Sequence, residues 1–120
     1  MLKRLVAWKV GKAAVGMAVC LPICLGLPSA GNAQTAMTAG VVMEKMPALE
    51  RLAFVAGIVE GLAYARYAKD GKKTEGMGCV YRWFYDKKDR IDDIYQAFNR
   101  FKEHLPGAVV AAMVAKECGN

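Results

Sequence analysis

The stretch PALERLAFVAGIVEGLAYARYAK, Pro47 to Lys69, is the longest uninterrupted helical pattern in the chain and decides its fold. Ala, Leu, Glu and Arg favour helix. Pro47 suits a first turn, where its missing N–H would be unpaired in any case. Steps of three and four residues place Leu52, Val55, Val59 and Leu62 on one stripe and Leu49, Ala53, Ala56 and Ala63 on a second, with Phe54, Ile58 and Ala65 between them. From Leu52 to Ala65 only Glu60 is charged. A helix apolar on most sides belongs at the centre of a small domain or in a membrane. The uncharged stretch falls short of the ~20 residues a span needs and has a Glu inside it, so the pattern predicts a core helix.

Gly57 and Gly61, four apart, share a face and admit another backbone closely. Each costs about 1 kcal/mol relative to Ala in a helix interior. Tight packing inside the domain is the expectation, with a partner-docking groove as the alternative. Glu60 lies between them. It is expected at the water-facing edge of the helix, the alternative being a buried carboxylate paired with Arg66 or a tyrosine, because an unpaired buried charge is expensive.

The formal charge of +6 is unevenly distributed. Of 17 Lys and Arg, four (Lys3, Arg4, Lys9, Lys12) precede residue 35, whereas all 11 acids follow it, so the rest of the chain carries 13 bases against 11 acids, a net +2. Charge therefore gives no case for nucleic-acid binding. The basic start, the apolar stretch Ala13–Leu27 and the small polar segment Pro28–Gln34 have the order of a secretory signal peptide, 1–33, with a cut expected after Ala33. Pro22 and Pro28 speak against a permanent span. The residues before Cys20 and Cys24 do not fit a lipoprotein cut. The expected location is the periplasm, with no stable membrane span once the signal is cleaved; a retained N-terminal anchor is the alternative.

The cut leaves 87 of the 120 residues and two of the four cysteines, Cys79 and Cys118. An even count in an exported chain reads as one disulfide, a useful staple for a domain with so small a core. Residues 34–46 read as a flexible lead-in, with a helical turn near Val41–Met46 that Thr38 could cap, and 47–120 as the helical domain. Gly71 in the surface loop Asp70–Thr74 should stop the long helix. A second helix is expected over Glu75–Tyr85, its crowded aromatics forming core around the disulfide, with a sugar- or peptide-stacking platform as the alternative. A third, capped by Asp89, is expected over Ile91–Glu103, and a fourth from Pro106 to Lys116, with Gly119 as its stop. No strand pattern or repeat appears. The fold class is all-α: four to five short helices around a central apolar helix, stapled by one disulfide.

Reactive constellations are missing from the sequence. His104 is the sole histidine and precedes Leu105-Pro106, too few ligands for a metal once a disulfide consumes the thiols. Asp92 and Asp93 diverge on a helix and make a poor acid/base pair. Gly76-Met77-Gly78 lacks the strand before it that a phosphate loop requires. No serine follows Ser29. No catalytic residue, metal or cofactor is expected, and the chain reads as a non-enzyme.

FVAGIVEGLAYARY, then Cys79, an aromatic helix, and EHLPGAVVAAMVAKECG together resemble a small periplasmic helical family. That family comprises the HdeA-type acid-stress chaperones and the related immunity proteins that guard against type VI secretion amidase toxins. Phe54, Gly57, Glu60, Gly61, Cys79, His104, Pro106 and Cys118 occupy the places of its motifs, and the resemblance covers about Met46–Gly119. Tyr81 stands where immunity members often carry a proline. The resemblance implies an all-helical fold and a periplasmic binding protein that acts by protein–protein contact. One form is inhibition of a cell-wall amidase toxin by a folded dimer, with Glu60, Trp83 and Tyr85 as candidate interface residues. The alternatives are an acid-activated chaperone or an accessory subunit of a secretion or transfer apparatus. A protein partner, toxin or client, is expected, and a second copy of the chain is a further candidate.

Overall fold

Apolar residues at helical spacing fold into five α-helices: α1 (Ala39–Lys45), α2 (Ala48–Lys69), α3 (Glu75–Tyr85), α4 (Arg90–Arg100) and α5 (Pro106–Cys118). The computed structural model describes residues 36–120; the expected signal peptide and its cleavage point lie outside them. The described residues contain no strand, so the all-α class holds.

The helix at the centre is α5, which packs against each of the other four. Val109, Val110 and Val114 of α5 meet Val42 of α1, Val55, Val59 and Ala63 of α2, Val80, Trp83 and Phe84 of α3, and Ile94 and Phe98 of α4 in one apolar core. The long α2 instead lies along α3 and α5. Only Val55, Val59 and Ala63 of its 22 residues are buried, so the expectation of a helix buried on most sides is corrected. Periodicity gives the number of apolar faces but not how many neighbours exist to cover them, and here one face of α2 has none.

Residues 34–46, expected as a flexible lead-in, belong in part to the core. Ala39, Gly40 and Val42 are buried. The Thr38 hydroxyl caps α1 as expected, accepting from the Val41 N–H at 3.3 Å. The first two N–H groups of α1 donate to carbonyls of the α4–α5 connection, Ala39 to His104 (2.8 Å) and Gly40 to Lys102 (3.0 Å). The helical domain therefore begins before Pro47, which stands at the N-cap of α2 rather than in its first turn.

The same contact explains why α4 ends at Arg100 and not at Glu103. The chain must leave the helix to present the Lys102 and His104 carbonyls to α1, and His104 N–H closes a turn on the Phe101 carbonyl (3.0 Å). Asp89, expected to cap α4, makes no side-chain cap bond. A Cβ built on Gly40 would stand 3.1 Å from Lys102 Cβ and 3.2 Å from its carbonyl oxygen. Gly40→Val should therefore cost about 1–3 kcal/mol by overpacking, read as a lower midpoint in urea unfolding. An unchanged midpoint would mean that α1 is not seated as described.

Gly71 ends α2 as expected, with φ +66°. Arg66 ties that end of the molecule together. Its Nε donates to Asp70 at 2.7 Å, and its Nη1 donates to the carbonyls of Cys118 (3.2 Å) and Gly119 (3.0 Å). Cys79 and Cys118 form the expected disulfide, Cα–Cα 5.9 Å, joining α3 to the last turn of α5. Gly119, with φ +71°, follows as the stop of α5.

Candidate protein-docking surface

The exposed face of α2 arises from residues one or two helical turns apart: Leu49, Ala53, Gly57, Gly61 and Tyr64. Leu49 is 83% exposed and Tyr64 69%; Leu52, at 44%, stands on the stripe of Val55 and Val59 instead. A Cβ added at Gly57 or at Gly61 would meet nothing within 4 Å. The expectation that these glycines serve packing inside the domain is therefore corrected. Both open on solvent, and nothing within the domain offsets their helix-propensity cost.

Glu60 stands on the same face, and two tyrosines of α3 hold it. Tyr81 Oη donates to Glu60 Oε2 at 2.8 Å and Tyr85 Oη donates to Oε1 at 3.0 Å. Tyr81 and Tyr85 are four residues apart on α3, so their rings project from one side of that helix. Their ring centroids are 6.2 Å apart, and Tyr85 makes an edge contact with Phe84 at 4.9 Å. Glu60 is at once on the exposed edge and paired with tyrosines; Arg66 is engaged elsewhere. The result is an acceptor-only carboxylate fixed in orientation beside a strip of small and apolar groups. Such a group can receive an Arg, a Lys or a backbone N–H from a partner with little reorganisation.

The phenols record this arrangement. The hydrogen bond to Glu60 is the main cause that raises the pKa of both Tyr81 and Tyr85 above 10.0, with desolvation and the carboxylate charge acting in the same direction. Desolvation is the main cause for Tyr95, with Arg51 opposing it. A phenol whose pKa is raised on folding contributes stability that is present below the unfolded value, near pH 10, and lost as pH climbs through the folded value. In an ultraviolet phenolate titration, Glu60→Gln should move the Tyr81 and Tyr85 portion down toward pH 10 and leave the Tyr95 portion in place. A curve identical to wild type would show that the clamp does not persist in solution.

Trp83 does not belong to this surface. Two residues along α3 is a turn of about 200°, which directs position 83 away from the side that carries Tyr81. It is 6% exposed and lies beneath the Arg90 guanidinium, 4.6 Å from the ring centroid, while Arg90 Nε donates to the Trp83 carbonyl at 2.9 Å. Of the three candidate interface residues, Glu60 and Tyr85 come together and Trp83 is core. Reading EGMGCVYRWFY by helical angle, with Tyr81 and Tyr85 on one side and Val80, Trp83 and Phe84 on the other, was the signal available for that separation.

Asp93 is engaged by Lys87 (3.0 Å) and Arg90 (3.2 Å) rather than by Asp92. Among the described residues no group of three or more His, Cys, Asp or Glu could hold a metal ion, and no helix is long and apolar enough to cross a membrane. No protein-family model, curated protein or solved structure matches the chain.

Proposed function

We propose that the chain is an exported, non-enzymatic binding protein that neutralises a cell-wall amidase toxin by protein–protein contact, presenting the exposed face of α2. The observation that carries this reading is the pair Gly57 and Gly61. They are open to solvent on a helix that gains nothing from them internally, on the face that also carries the fixed Glu60 carboxylate and the exposed Leu49 and Tyr64. Small residues flanked by large apolar ones allow close approach of a partner's backbone, and Tyr85 at the margin has the amphipathic ring common at interface hot spots. The motif resemblance supplies the amidase as the expected partner. The same face would also serve association of two copies.

An acid-activated chaperone works differently, by losing structure to expose apolar surface. No charged side chain among the described residues is buried, so acid discharges no buried ion pair here. Strong acid removes the negative charge that offsets the 13 Lys and Arg of the chain after Ala33, so its net charge rises well above +2. Self-repulsion of that size expands many proteins, so expansion alone does not discriminate. Protection of a client does. The protein should inhibit peptidoglycan cleavage by a cell-wall amidase toxin at pH 7 and give no protection of an acid-denatured client at pH 2–3. Protection at low pH without inhibition at neutral pH would replace the inhibitor by the chaperone.

A further inference from the structure

A second surface shares no lining residue with the α2–α3 patch. Between the end of α4 and the outer side of α5 lies an open groove of about 590 Å³. Ala108 and Ala112, one turn apart on α5, are too small to fill the space in front of Phe101, while Met113 closes the same wall. Three side chains with cationic capacity, Arg100, His104 and Lys116, also line it, and no carboxylate does. Neither Arg100 nor Lys116 takes part in an ion pair among the described residues, although Lys87, Arg90 and Lys102 nearby in sequence all do.

We infer that this groove binds a single-chain amphiphile with an anionic head, of the fatty-acid carboxylate class, its alkyl chain along Phe101, Ala108 and Met113 and its head at Arg100 and Lys116. The volume lies within the ~300–1,000 Å³ of small-molecule sites, which are mainly apolar with a few convergent polar groups. Unpaired cations beside an apolar trough complement an anionic head and disfavour a cationic one.

Calorimetric titration of the purified protein with octanoate, decanoate and dodecanoate, each below its micelle concentration, tests the assignment. Each added methylene should tighten binding about three- to fourfold until the groove is filled. Dodecyltrimethylammonium should bind at least about tenfold more weakly than dodecanoate, and Arg100→Gln with Lys116→Gln should remove most of that preference. Ala112→Phe, which fills the trough from an exposed position, should abolish dodecanoate binding with the melting temperature within about 2 °C of wild type. In the unsubstituted protein the Met113 methyl resonance should shift on adding dodecanoate, which gives a readout independent of how any variant folds. Affinity indifferent to chain length, equal binding of the cationic amphiphile, or a Met113 signal that does not move would each overturn the proposal. Binding of an acidic amphipathic peptide in place of dodecanoate would overturn it in favour of a protein occupant.

Discussion

Replacing Cys79 and Cys118 together by Ser should lower stability by about 4 kcal/mol, the chain-entropy value for a loop whose ends are 39 residues apart. A domain of this size is stable by only about 4–13 kcal/mol in total, so the loss is a large share of what holds it folded. The melting temperature should fall by roughly 15–30 °C. The bond joins α3 to the end of α5, beside the carbonyls of Cys118 and Gly119 that Arg66 holds. Without it the last turn of α5 can fray, and Val114 loses its cover against Val80. Dithiothreitol should reproduce the effect in the wild type and add nothing in the double variant. Equal melting temperatures for oxidised, reduced and Ser-substituted protein would show that the helices need no staple.

The class of fold, four of the helices and the disulfide were legible in the sequence because each rests on local chemistry. Gly71 and Gly119 stop helices through their left-handed backbone, Pro106 opens α5, and two cysteines in a chain that reads as exported have one pairing available. The position of α2 was not legible. Its apolar residues go nearly all the way round, a pattern shared by a central helix and by a flanking helix that reserves one face. Nor was the docking of α1, which besides the buried Val42 rests on backbone hydrogen bonds from Ala39 and Gly40 to carbonyls more than sixty residues onward, which side-chain periodicity cannot register. Gly57 and Gly61 were found as a close-approach pair, but whether the approaching element belongs to the same domain depends on tertiary placement. Glu60 with Tyr81 and Tyr85 was within reach of helical-angle reasoning on α3. The groove on α5 was not, since its lining comes from α4, α5 and the turn between them, which periodicity along each helix does not bring together.

A face of α2 reserved for a partner predicts opposite effects on folding and on binding. Since a Cβ at Gly57 or Gly61 meets nothing within 4 Å, Gly57→Ala and Gly61→Ala should each stabilise the protein by about 1 kcal/mol through helix propensity alone. A bulky group at the same points should leave the domain folded and hold a partner's backbone away. The decisive measurement is inhibition of a cell-wall amidase toxin by the Gly57→Trp, Gly61→Trp double variant, with its thermal melting recorded alongside. Inhibition should weaken at least about 100-fold, close to 3 kcal/mol, a loss typical of blocking the centre of an interface, while the melting temperature stays at or above that of the wild type. Undiminished inhibition by a variant that melts like the wild type would contradict the account.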